Sequence, residues 1–267
     1  RRKLMLASPF LLPRCCAPGG PLCPLDAPLS TVALSDSVEV RLRVPDDDAV
    51  MEDYIGQAHQ VALAADDYDA AMLAHCQRCI ADDPAYWAQL WPSALALSRR
   101  LISQPELVSG GSVVEIGSGL GLTALSAARA GASAVLATDR EPRALAFAAQ
   151  SAADNQVSIE TASLDWSDLD AWEKAGTQVA LCADVLYGAE APAALAPLLD
   201  HLLRPGGSAL LADNADRPYG DTHRADLRAR LDERGFELVA DDLVDVSLDT
   251  RQGDRFAIRL LQLQKSL

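Results

Sequence analysis

Five acids stand at or just before points where apolar runs give way to polar ones: Glu115, Asp139, Asp165, Asp184 and Asp213. Between the first two lies a glycine-rich turn. Val113-Val114-Glu115-Ile116 reads as a strand, and Gly117-Ser118-Gly119-Leu120-Gly121 follows it. The spacing is G-x-G-x-G, and three residues past Gly119 stands Leu122. A dinucleotide fingerprint has its third glycine there, so that a helix N-terminus can approach a pyrophosphate. This turn suits a ligand without phosphates that lies across it. An ordinary tight strand-to-helix turn is the alternative.

The neighbouring motifs extend that reading. Asp139 follows about twenty residues after the turn, where a carboxylate can accept both ribose hydroxyls. It can also cap a helix ahead of Glu141-Pro142. In Leu164-Asp165-Trp166 the indole offers a face for adenine, or a small satellite core. Ribose and adenine without phosphate, with a cationic centre for nearby acids, describe S-adenosylmethionine (SAM). The run Ala183-Asp184-Val185-Leu186-Tyr187 places an anion and an amphipathic aromatic at one strand exit. Asp184 can pair with a lysine ammonium and Tyr187 can contact it. Methyl transfer needs a neutral amine, and free lysine has a pKa of ~10.4, so such a site must help it shed a proton. The alternative is an Asp that caps the next helix.

These residues need a sheet to hold them. From residue 112 the pattern alternates strand and helix, as a parallel α/β sheet requires. Strands are expected at 112–116, 134–138, 157–162, 179–183 and 208–212, with two more from 236 and at 255–263. Helices are expected at 122–130, 141–155, 189–203 and 222–234. Ligands in such sheets gather beyond the carboxyl ends of the strands. Upstream, residues 38–44 alternate as a half-buried strand, 49–80 form one or two Ala-rich helices, and 86–101 form a core helix. Trp91-Pro92 lies at the start of that helix, near the ligand edge, with Arg99 and Arg100 on its exposed face.

Composition narrows the function classes. The 267 residues are 49% hydrophobic and carry a net charge of −15. No apolar run reaches the ~20 residues that span a bilayer. So acidic a chain repels polyanions, so no nucleic-acid or membrane partner is expected. Residues 1–33 hold four basic residues against one acid, Asp26, which leaves −18 on the rest. That opening reads as an organelle-targeting leader or a disordered tail, with residues 34–85 as an N-terminal extension and 86–267 as the main domain. The address would be intracellular, either cytoplasmic or mitochondrial/plastid. Of six cysteines, three lie in the leader, and Cys182 sits in an apolar strand as an inert thiol. Cys76 and Cys79 form a C-x-x-C after His75, without the second ligand pair a zinc site wants, so no metal is expected.

Taken together, WAQLWPSALALSRRL, VVEIGSGLGL, TDREPRAL, LDW and ADVLY resemble the seven-strand class I SAM-dependent protein-lysine methyltransferases with an Asp-x-x-Tyr motif. The likeness runs from about Tyr86 to Phe236. Trp91-Pro92 and the segment Asp213-Asn214-Ala215-Asp216-Arg217-Pro218 narrow it to one branch of that family. The resemblance implies a Rossmann-like seven-stranded sheet with helices on both faces and an N-terminal α/β extension. It implies SAM as cofactor and a protein carrying the target lysine as partner. It places Trp91 against SAM, Gly117, Ser118 and Gly119 around its methionine part, and Glu115 beneath. Asp139 would hold the ribose, Trp166 the adenine, and Ala183 would offer its backbone. Asp184 and Tyr187 would face the lysine as catalytic residues. Two other readings stand beside this one. The first is a small-molecule or nucleic-acid N-methyltransferase, although Val185 and Leu186 stand where base methylases carry prolines. The second is a SAM-binding interaction module without activity.

Overall fold

The computed structural model describes residues 22–81, 86–166, 168–172, 176–248 and 254–267. A hairpin of β1 (Leu29–Ala33) and β2 (Glu39–Arg43) comes first, then two helices, α1 (Asp47–Leu63) and α2 (Tyr68–Ala81). A short 3-10 turn, Tyr86–Ala88, leads to α3 (Pro92–Ser103). The main sheet follows as β3 (Ser112–Ile116), α4 (Leu122–Arg129), β4 (Ala134–Asp139), α5 (Pro142–Asp154) and β5 (Glu160–Ser163). It continues as β6 (Thr177–Ala183), α6 (Ala191–Leu202), β7 (Leu203–Asn214), α7 (Gly220–Asp232), β8 (Phe236–Ser247) and β9 (Arg255–Lys265).

The seven strands lie in the order β5-β4-β3-β6-β7-β9-β8, with β9 antiparallel to its neighbours β7 and β8. The chain steps outward from β3 to β4 and β5, then returns to β6 on the other flank of β3. At that reversal the loops after β3 and β6 part, and a crevice opens at the carboxyl edge. Both faces are covered because the strands read apolar on both. Val114, Ile116, Ala180 and Leu211 pack with Leu195 and Leu199 of α6 and Leu227 and Leu231 of α7. Val113, Leu181 and Leu210 pack with Leu97 and Leu101 of α3 and Ala124 and Ala127 of α4. The extension adds a third cluster, in which Val40 and Leu42 of β2 meet Trp87, Leu125 and Phe147.

The expected α/β architecture is therefore present, with several shifted boundaries. Residues 22–33 belong to the folded body and not to the leader: Leu22, Cys23 and Val32 are buried, and β1 pairs with β2 along its length. The sequence reading of 86–101 as one helix also fails, because Pro92 holds Trp91 in extended backbone (φ −84°, ψ 140°) and the helix starts after it. The third strand of the main sheet starts at Glu160 and not at 157, since the Val157 amide still closes the end of α5 on the Ala152 carbonyl. The Ala-rich stretch divides into two helices, and α1 is capped by Asp46, which accepts from the Asp48 and Ala49 amides. Cys182 is fully buried in β6, where desolvation pushes its thiol far up. The Cys79 side chain and Cys15 and Cys16 lie outside the described residues, and no metal-holding cluster of His, Cys, Asp and Glu occurs among those described. No described helix is long and apolar enough to cross a membrane.

Gly121 shows how tightly α4 and α5 meet. Its φ is +82°, and a Cβ there would lie 2.6 Å from the Ala148 Cβ. Gly121→Ala is expected to cost about 2–4 kcal/mol, from backbone strain together with overpacking. Urea unfolding measures this, and a loss below about 0.5 kcal/mol would show that α5 yields freely.

Candidate active site

The glycine turn after β3 forms one wall of the crevice. Gly117 and Gly119 have φ of +67° and +49°, which only glycine adopts without strain. A Cβ at Gly117 would lie 3.3 Å from Val185 Cγ1 and 3.6 Å from the Trp166 ring, so the bare backbone leaves that space open. Glu115 is fully buried beneath the turn, and its Oε2 accepts from the Ala124 amide at 2.8 Å, fixing the start of α4. Burial pushes its carboxyl up to about 8.

Asp139 closes the next strand exit and ties two elements together. Its Oδ2 accepts from the Gly119 amide at 2.8 Å and its Oδ1 from the Glu141 amide at 2.9 Å. Burial raises its pKa and those two amides oppose the rise. The cap of α5 is Glu141, whose Oε1 accepts from the Arg143 amide. Asp139 is thus set just ahead of that helix, held by the turn, where it lines the crevice. Trp166 lines the crevice and also packs on the core beside β6.

The β6 exit supplies the other wall. Asp184 adopts φ +61° and donates its amide to the Ala212 carbonyl at 2.8 Å. A non-glycine residue held there stores of order 1 kcal/mol of strain. It does not cap α6, whose cap position is Glu190. Its side chain is 5% exposed and bonds Arg217 Nη2. Burial raises its pKa to about 6 despite that arginine, helped by the charge of Asp213. Tyr187 stands at the rim, 46% exposed. A chain of aromatic contacts crosses the mouth: Trp91 to Tyr86 (5.3 Å), Tyr86 to Tyr187 (6.1 Å) and Tyr187 to Trp166 (5.9 Å).

A single cavity of about 720 Å³ joins these walls. Trp91, Glu115, Gly117, Ser118, Gly119, Asp139, Trp166, Ala183, Asp184 and Tyr187 all line it. It is within the ~300–1,000 Å³ range of ligand clefts. The open glycine backbone, the acid at the β4 exit and the indole beside it fit an adenosyl ligand. Sequence reasoning missed other lining residues: Tyr54 from α1, Arg143 from α5, and Arg217 after β7. Arg143 bonds Asp53 at 2.5 Å, the Tyr54 hydroxyl at 3.0 Å and Glu141 at 2.7 Å, and lies 4.6 Å over the Tyr54 ring. Asp53 and Tyr54 lie about ninety residues away in sequence, so no local spacing signals those two contacts. Arg217 lay in a segment singled out for its family likeness alone.

This strand order, with a glycine turn and an acid at the first two strand exits, is the architecture of Rossmann-like methyltransferases. Solved structures share the fold. A branched-chain polyamine synthase from Thermus thermophilus, in complex with N4-aminopropylspermidine and 5′-methylthioadenosine, superposes with a TM-score of 0.53 at 19% identity over 65% of this chain and 55% of its own. TrmN from Thermus thermophilus gives 0.50 at 22% identity, over 64% and 48%. Residues 83–223 match the family described as lysine methyltransferase, and the chain belongs to that family. It is similar to the electron transfer flavoprotein beta subunit lysine methyltransferases of Xenopus laevis (33% identity, 53% of this chain and 56% of the relative) and Homo sapiens (52%, 22% of each). It is also 34% identical to protein N-lysine methyltransferase METTL21A of Danio rerio, over 43% of this chain and 55% of the relative. The chain spans about half the length, or less, of these relatives.

Glu115 makes stability depend on pH. The folded carboxyl titrates at about 8 against 4.5 for the unfolded chain, so between those values the fold binds more protons and loses stability as pH rises. Glu115→Gln is expected to remove a slope of up to about 1.4 kcal/mol per pH unit. Urea midpoints across that window check it. Parallel profiles for the two proteins would show that Glu115 is ionised in the fold throughout.

Proposed function

We propose that this chain is a SAM-dependent protein-lysine N-methyltransferase that moves a methyl group to a lysine side-chain amine of a protein substrate. The observation that carries the reading is the placement of Asp184 and Tyr187 across one cavity from the Gly117–Gly119 turn and Asp139. The relatives' names support it and make the electron transfer flavoprotein β-subunit the first candidate substrate.

SAM supplies an electrophilic methyl on a sulfonium. The chain's residues bind and orient. Gly117, Ser118 and Gly119 offer backbone to the methionine part, Asp139 accepts from the ribose, Trp166 faces the adenine, and Trp91 and Ala183 border the centre. Glu115 supports the turn from below, protonated at neutral pH. Asp184 pairs with the incoming ammonium and Tyr187 walls it laterally. Pairing with Asp184 favours the charged amine and desolvation among the aromatic rim opposes it, and the amine must lose its proton to solvent before its nitrogen can react. The neutral nitrogen, positioned by these residues, would then form its bond to the methyl group that SAM supplies, the broken C–S bond leaving its electron pair on sulfur as a neutral thioether. Positioning of this kind carries most of the rate of such a transfer.

A pair of variants separates the two walls. Asp139→Ala is expected to weaken SAM binding by about 100-fold or more, through loss of a charged hydrogen-bond acceptor. Asp184→Ala is expected to keep SAM affinity within about threefold and to cut turnover by about 10²–10³-fold. Calorimetry gives the first quantity, and methyl-labelled SAM with the purified flavoprotein subunit or a whole-cell extract gives the second. Full activity of Asp184→Ala would remove that residue from the acceptor site, and label confined to small molecules or nucleic acid would reject lysine as acceptor.

A further inference from the structure

The acceptor wall already holds a cation. Arg217 Nη2 bonds Asp184 Oδ1, the carboxylate that an acceptor ammonium would use. Both groups are largely buried, with side chains 21% and 5% exposed. A lysine ammonium that approaches Asp184 must compete with the guanidinium for that carboxylate, and the two cations repel at close range.

A second seat lies beside the first. Asp213, at the end of β7, has a side chain 3% exposed. Its Oδ2 is taken by Arg224 Nη1 at 2.5 Å. Its Oδ1 has no hydrogen-bond partner, and neither has Arg217 Nε, although both atoms are buried. They face each other at 3.7 Å, too far for a hydrogen bond and close enough for a small turn of the side chain to make one. Arg224 cannot follow such a move, because it is also bonded to Asp221 and directed at the Asn214 and Ala215 carbonyls. Arg217 itself sits in the short loop between β7 and α7, with Pro218 and Asp216 lining the cavity beside it. A buried acceptor and a buried donor left unpaired at that distance cost free energy that one shift would recover.

We propose that Arg217 is the resident counter-ion of the acceptor subsite, neutralising Asp184 when no lysine is present and yielding it by moving onto the open oxygen of Asp213. The inference rests on the reading of Asp184 as the acceptor residue. In consequence Arg217 and Asp213 are specificity-determining positions. A weak cation fails to displace the guanidinium, and a lysine held by further contacts along its own protein succeeds. Asp184 never stands as an uncompensated buried anion, and the cavity does not fill with stray amines.

The test measures binding of n-butylammonium, the lysine side-chain mimic, to the full chain saturated with S-adenosylhomocysteine. Measurement at about pH 8.5 keeps Asp184 ionised and the amine mostly cationic. Arg217→Gln is expected to tighten binding about tenfold, the scale of one desolvated charge competition. Asp213→Asn, which weakens the second seat, is expected to loosen it about fivefold on the natural background and to have no effect once Arg217 is Gln. In turnover with a lysine-bearing peptide the same factors should appear in KM and not in kcat. S-adenosylhomocysteine affinity, measured in parallel, reports that each variant is folded. If Asp213→Asn does not fold, Arg217→Gln alone decides. Equal amine affinity with and without Arg217, the same Asp213→Asn loss on both backgrounds, or no amine binding by any variant would each overturn the proposal. If the amine affinities shift as expected and no lysine receives a methyl group, the counter-ion stands and the lysine-transfer reading falls.

Discussion

Carboxylates buried at the carboxyl edge of the sheet set the terms for everything around them. Such a group costs several kcal/mol unless its oxygens meet donors, or unless it keeps a proton. Four of the edge acids meet that demand in three ways. Asp139 is held by two backbone amides. Asp184 and Asp213 lean on Arg217 and Arg224. Glu115 has one amide bond and resides where burial keeps it protonated to about pH 8. The Gly117–Gly119 turn, the start of α5 and the β7–α7 loop take their places because they supply those donors.

Much of this was legible in the sequence. The glycine turn announced itself because positive φ restricts the residue type, a local rule that needs no tertiary information. Asp184 and Tyr187 were legible because a β-branched and apolar strand ended on them. The strand–helix alternation gave the sheet, whose buried central strands read as short apolar runs. The failures share a cause as well. Arg143 meets Asp53 and Tyr54 about ninety residues away in sequence, and Arg217 meets Asp184 across thirty-three. Such pairs are created by the fold alone. The boundary of the N-terminal leader failed for a similar reason: β1 is mostly exposed, and only its pairing with β2 makes it a strand.

The N-terminal extension is bound to the main domain by polar contacts as well as by its own apolar cluster. Arg41 and Arg43 of β2 engage the end of α5, through the Asn155 side chain and Asp154. Arg143, in the first turn of α5, holds α1. One helix of the core thus anchors the extension at both ends, and its first turn also abuts Asp139. Tyr54 reaches the cavity by this route, its hydroxyl accepting from the Trp87 indole N–H as it completes the wall. Variation in the extension can therefore reshape the cavity without disturbing the strands.

Charge acts on two length scales here. The whole chain, at −15, presents a field that draws in basic proteins and favours their encounter rate over their final affinity. Within the cavity the balance is different. Glu115 is neutral at pH 7, Asp139 is spread over backbone dipoles, and the Asp184–Asp213 pair is offset by two arginines. A long-range field alone would recruit every cation equally. Inside the crevice selection falls to individual contacts, because on the counter-ion proposal an amine gains at Asp184 only what it wins from Arg217. Attraction at a distance and resistance at contact are thus separate properties of the same acidic chain, set by different residues.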